Sequence, residues 1–184
     1  VLHSLRYLEV AVSEPSPGVP QLMVVGSMDG IPITRYDSER GRMEPQTPWM
    51  ATGAEPGFWD TETQREEGNQ LVAANNLETL RGRGLCGSVS PPGLHTVQRV
   101  YGCDLLSDGS VRGFQRYGYD GRAFISFELG SKSFVAADGA AQVTKRRWEH
   151  EGIVAERMTN YLENICVEDL QKYVGYGREA LERK

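Results

Sequence analysis

The chain nearly repeats itself, and that repeat is the tightest constraint on its fold. His3-Ser-Leu-Arg-Tyr7 is echoed by His95-Thr-Val-Gln-Arg99, and Asp29-Gly30 by Asp120-Gly121, at almost the same offset of about 92 residues. Each half runs strands first and helix last. In residues 1–90, Leu2 to Val12, Gln21 to Met28 and Ile31 to Asp37 alternate or carry β-formers, with Asp29-Gly30 as a hairpin signal. A polar, proline-containing stretch from Glu44 to Pro56 follows, then a helical run from about Gly57 to Arg83. Gly84 to Gly93 breaks that run and joins the halves. In residues 91–184, strands are predicted over His95–Leu105, Ser110–Tyr119, Arg122–Glu128 and Phe134–Ala136. Helical text then runs from Gly139 to about Glu182, and Gly152 predicts a bend or break within it. Two such halves make an α+β platform: one antiparallel sheet of about eight strands, two long helices across one face, and a groove between the helices.

The cysteines bear on the same architecture. Cys103 lies in strand-like text and Cys166 in helical text. A bridge between them would pin a helix to the sheet and close a loop of about 64 residues, worth roughly 4 kcal/mol by chain entropy. It would also point to an oxidising compartment. Cys86 would then be left over as a free thiol in a Gly/Ser/Pro loop, either unpaired at the surface or held in an intermolecular disulfide. A net charge of −5 argues against a nucleic-acid partner. No apolar run approaches the ~20 residues that span a bilayer, and no signal peptide opens the chain, so it reads as a mature, truncated form.

Strand parity places Tyr7 and Glu9 on one face of the first strand, and Arg6, Leu8 and Val10 on the other. The same parity groups Arg99 with Tyr101, and Gln115 with Tyr117. Such a face suits a floor that meets ligand or water; a satisfied polar layer under close-packed helices is the competing reading. Glu9 and Arg99 are candidates to pair, at a desolvation cost of several kcal/mol per ion if they do so out of solvent. Tyr161, Ile165, Asp169 and Tyr173 recur every four residues and form one helix stripe. Arg147 and Trp148 are candidates to cap a groove end and hold an acidic group. His3, His95 and His150 are scattered, with no recognisable nucleophile or metal-ligand spacing, and no phosphate loop or Cys-x-x-Cys is present. No catalysis, metal or cofactor is expected.

The words HSLRY (3–7), RMEP (42–45), HTVQRVYGCD (95–104), AADGAAQVTKRRWE (136–149) and YLENICVE (161–168) together resemble the alpha-1/alpha-2 platform of major histocompatibility complex class I molecules. The resemblance covers the whole chain, with residues 1–90 as the alpha-1 half and 91–184 as the alpha-2 half. It implies a Cys103–Cys166 disulfide. It also implies pairing with β2-microglobulin through the sheet underside, where Gln98 keeps a residue the family uses. An alpha-3 domain, a transmembrane helix and a cytoplasmic part would lie outside this chain, which would be the extracellular part of a type I cell-surface protein.

Classical members hold a peptide N-terminus with a tyrosine cluster. Tyr7, Tyr161 and Tyr173 match it, Phe58 replaces the fourth tyrosine, and Asp169 replaces a tryptophan that closes this end. Glu62 falls in the same region. At the other end Thr144 and Trp148 match, Arg147 replaces a lysine, and Arg83 replaces the mammalian tyrosine. Segments of the first half also resemble the class I-like molecule that presents vitamin-B metabolites, but Met43 stands where that molecule has its ligand-trapping lysine.

The expectation is therefore a non-classical or divergent member that binds a short peptide or a small polar-ended molecule. It would display that ligand to T-cell or natural-killer receptors. The alternative is a closed or empty-groove member recognised directly by a natural-killer or gamma-delta T-cell receptor, with Gly68, Ala73 and Ala74 letting the helices approach. A groove of several hundred Å3 would separate the two.

Overall fold

A computed structural model describes residues 2–82 and 93–182. Arg83 and Cys86 lie outside the described residues, so their expected roles stay with the sequence.

Eight strands form one antiparallel sheet in the order β4-β3-β2-β1-β5-β6-β7-β8. They are β1 (His3–Val12), β2 (Leu22–Met28), β3 (Ile31–Asp37), β4 (Glu44–Pro45), β5 (Thr96–Leu105), β6 (Val111–Tyr119), β7 (Arg122–Glu128) and β8 (Ser133–Ala136). The two ten-residue strands β1 and β5 pair along their whole length at the centre, from His3 opposite Leu105 to Val12 opposite Thr96. The sheet's midline is therefore the joint between the halves.

The sequence echo has a physical cause. Asp29 and Gly30 have φ of 51° and 82°, and Asp120 and Gly121 have 48° and 79°. Positive φ at both central residues is what a two-residue hairpin with right-handed twist requires. Each turn aspartate is also latched to the start of the half's first strand. His3 Nδ1 lies 2.7 Å from Asp29 Oδ2, and the Ser4 backbone N–H donates to Asp29 Oδ1. His95 Nδ1 lies 2.8 Å from Asp120 Oδ2, and the Thr96 N–H donates to Asp120 Oδ1. The repeated histidines and aspartates are thus matching staples, one per half.

Two elements hide in the stretch read as irregular. Strand β4 is two residues long and ends in Pro45, which has no N–H to give and therefore sits at the sheet edge. Helix α1 (Pro48–Gly53) starts at Thr47, whose hydroxyl accepts from the Met50 N–H, with proline in the first turn.

Helix α2 spans Phe58–Gly82 and is unbroken. The second helical run is broken at Gly152, as its composition predicts. Helix α3 (Gly139–Glu151) begins on the Asp138 cap and ends at Gly152, which is left-handed at φ 71°. Helix α4 (Ile153–Asn160) restarts there, passes through a π-helical turn at Tyr161–Ile165, and continues as α5 (Cys166–Glu182).

The π turn shifts the helical phase by one residue. It lets Leu162, Cys166 and Leu170 all reach 0 % exposure against the sheet while Tyr161, Ile165 and Asp169 look sideways. Cys166 is bonded to Cys103 of β5, 63 positions away, with their Cα atoms 6.2 Å apart. The remaining core follows the upper face of the sheet, from Leu5, Leu22 and Ile33 to Ile125 and Phe127.

Candidate functional site

Register converts the sequence parity into a floor. Tyr7 lies opposite Tyr101 and Glu9 opposite Arg99, across the β1–β5 seam. Tyr101 in turn faces Gln115, and Arg99 faces Tyr117, on β6. Tyr7, Glu9, Tyr101 and Gln115 are all under 8 % exposed, whereas Leu8, on the other face, is 47 % exposed. Tyr7 and Tyr101 stack with centroids 5.1 Å apart, and the Arg99 guanidinium lies 4.2 Å over the Tyr101 ring. Arg99 also donates to Glu9 Oε2 at 2.7 Å, so the expected pair forms and is largely dry.

Between this floor and the helices lies a cavity of about 210 Å3. Tyr7, Arg99, Tyr101 and Gln115 form its base, Tyr161 and Ile165 one wall, and Glu62, Arg65, Glu66 and Asn69 of α2 the other. Arg65, Glu66 and Asn69 are absent from the sequence-level candidates. Helix α2 turns polar residues toward both groove and solvent, so it carries no clear stripe to mark them.

Arg65 lies 3.5 Å from Glu62 and 3.9 Å from Asp169, linking the two helices over the cavity. Burial pushes the Glu62 and Asp169 carboxyls up, against the pull of Arg65. Burial also raises the Tyr7, Tyr101, Tyr161 and Tyr173 hydroxyls well above the usual tyrosine range, so all four remain neutral donors. Burial would lower the Arg99 guanidinium, but Tyr101, Tyr117 and Glu9 more than offset it.

Glu66 is 2 % exposed. Burial pushes its carboxyl up to about 7, despite the hydrogen bond that Asn69 donates at 3.1 Å; Glu9 adds to the rise and Arg99 opposes it. An unfolded glutamate titrates near 4.5. The stability that the neutral carboxyl contributes is complete below that pH and is lost as pH rises through about 7. Without ligand, Glu66→Gln is expected to gain about 2–3 kcal/mol on the parent between pH 5 and pH 8, read as urea unfolding at both pH values.

The Tyr173 end is packed with aromatic rings. Phe58 packs edge-on to Tyr173 at 6.0 Å, Tyr173 is 1 % exposed, and α1 closes on α5 where Gly53 meets the Tyr176 ring. Asp169 points Oδ2 into a dry position with no hydrogen bond.

Thr144, Arg147, Trp148 and Tyr117 come together at the other end, around a second space of only about 40 Å3. Leu80, 8 % exposed, lines that space, and Trp148 packs on Tyr117 and Phe134. Ala73 is buried, but Gly68 is exposed with nothing packed against it, so the helices do not approach each other there.

An eight-stranded floor, two helical walls and a polar cavity at one end define a groove-bearing platform. The chain belongs to the class I histocompatibility antigen family: residues 1–181 match the family model "Class I Histocompatibility antigen, domains alpha 1 and 2". It is 43 % identical to the class I histocompatibility antigen F10 alpha chain of Gallus gallus over 183 residues, all of this chain and 52 % of that protein. It is 42 % identical to the major histocompatibility complex class I-related protein 1 of Rattus norvegicus, over 98 % of this chain and 51 % of that protein. It is 44 % identical to the H-2 class I histocompatibility antigen Q10 alpha chain of Mus musculus, over 98 % of this chain and 55 % of that protein. The chain spans about half the length of these relatives.

Proposed function

We propose that this chain is the groove platform of a non-classical class I-like cell-surface molecule. It holds a short peptide or a small polar-ended molecule between its helices and displays it to T-cell or natural-killer receptors. The observation that carries this reading is the 210 Å3 cavity on the β1–β5 seam, into which the floor presents buried polar groups. A fully buried polar group without a partner costs about 1–3 kcal/mol, which a ligand recovers. Tyr7, Glu9, Phe58, Glu62, Arg99, Tyr101, Gln115, Tyr161, Asp169 and Tyr173 serve this end, and Thr144, Arg147, Trp148 and Tyr117 the other. The sheet underside, with Gln98 and the exposed Leu8, serves as the face for β2-microglobulin.

A second reading draws on the far half of the groove. Its 40 Å3 space is too small for a long ligand, which favours either a short one or a receptor contact made by the helices alone. Native mass spectrometry of the cell-expressed protein, before and after acid treatment, separates the two. A bound species of defined mass supports presentation. Protein that is folded, stable and empty supports direct recognition of a closed groove.

Replacing Tyr7 and Tyr173 together by phenylalanine is expected to lower ligand-dependent stabilisation by about 1 kcal/mol per lost hydrogen bond. Melting temperatures with and without the eluted ligand test it; an unchanged difference removes those tyrosines from the ligand clamp.

A further inference from the structure

One buried carboxyl on the cavity wall, Glu66, has no ion-pair partner among the described residues, and that narrows the ligand class within the reading just proposed. Glu9 is taken up by Arg99 at 2.7 Å. Arg65, 42 % exposed, is shared between Glu62 and Asp169, and Lys172 acts on the same two carboxylates, so those groups answer one another. Glu66 remains, buried on the cavity wall, with the neutral Asn69 amide as its hydrogen-bond partner. Across the cavity Gln115 is 6 % exposed and its Oε1 has no hydrogen-bond partner among the described residues. A carboxyl and an unpartnered amide therefore look into one space. At 210 Å3 that space is below the roughly 300 Å3 where drug-sized pockets begin, so it admits one side chain or one head group.

We propose that this cavity selects a ligand carrying a hydrogen-bond-donating cation, a primary ammonium or a guanidinium, seated between Glu66 and Gln115. The Gln115 amide can turn either its oxygen or its nitrogen inward. The preference is set instead by Glu66, with Glu62 on the same helix: the Glu66 carboxyl, held toward the neutral form by burial in the empty cavity, ionises when a cation seats beside it. Arg99 does not repel the cation strongly, because Glu9 neutralises it and its guanidinium sits over the Tyr101 ring. Its Nε, also unpartnered, calls for an acceptor beside the cation, which a peptide or other amide carbonyl supplies.

The test uses the full-length chain from cells. Acid-eluted species are identified by mass spectrometry. The emptied protein is then offered pools of short random peptides, with one position at a time fixed as lysine, norleucine or glutamate, and thermal stabilisation is read. Eluted species bearing an amine or guanidine are expected. So is one position where lysine binds about tenfold or more tightly than norleucine, a preference that Glu66→Gln abolishes. Eluted ligands without such a cation, or a lysine preference that survives Glu66→Gln, overturn the inference and leave groove binding standing. No eluted species and no stabilising pool overturn both. Should Glu66→Gln fail to fold, the lysine–norleucine comparison on the parent protein decides alone.

Discussion

Arg99→Met is expected to lower the unfolding free energy by about 3–5 kcal/mol, among the largest losses available to a single side chain here. The reason is what it leaves behind. Glu9 is 6 % exposed and accepts from Arg99 at 2.7 Å. Removing the guanidinium strands a carboxylate in a dry floor. Removing both ions is a different experiment. Arg99→Met with Glu9→Leu is expected to recover most of the loss, since well-packed apolar groups often replace a buried pair at little cost. Urea unfolding of the two single variants and the double variant gives the coupling energy directly. Equal, additive losses from the two single changes would mean that the pair carries no mutual stabilisation.

The second large effect concerns the helix that carries the cavity's other wall. Replacing Cys103 and Cys166 together by alanine is expected to cost about 2–5 kcal/mol, in line with the length of chain the bridge closes. Both cysteines are fully buried, and Cys166 sits just past the π turn, between Leu162 and Leu170 on the sheet-facing side. Freed of the bridge, the segment from Tyr161 onward relies on the packing of Leu162, Leu170 and Tyr173. The loss is therefore expected to appear first as faster hydrogen exchange in α5, and only then as global unfolding. Uniform exchange across both helices would argue that the bridge acts on the unfolded chain alone.

Much of the platform was legible because its strands are long, alternate cleanly and end on turns with a chemical reason to exist. The Asp-Gly hairpins, the Gly152 break and the polar floor all follow from local rules. What escaped did so for physical reasons. A two-residue strand such as β4 has no period to detect. Helix α1 is shorter than two turns and begins at a proline that reads as loop. The π turn leaves no mark on a four-residue stripe, because one extra residue shifts the phase without breaking the pattern. Arg65, Glu66 and Asn69 were missed because the inner face of α2 is itself polar. Its groove-lining and solvent-facing residues have similar chemistry, and tertiary structure alone separates them. Glu66 was the costly omission, since its burial comes from tertiary packing rather than from its own neighbours in sequence.

The central pairing of β1 with β5 has a bearing on how the molecule is made. During synthesis β1 leaves the ribosome well before the strand that will cover its open side. Until β5 arrives, the nascent first half presents ten residues of unpaired backbone, the kind of edge that recruits other chains. Assembly is then a race between the second half and any neighbouring copy. Slow synthesis through the joining segment would lengthen the exposure, and a chaperone that shields that edge would shorten it.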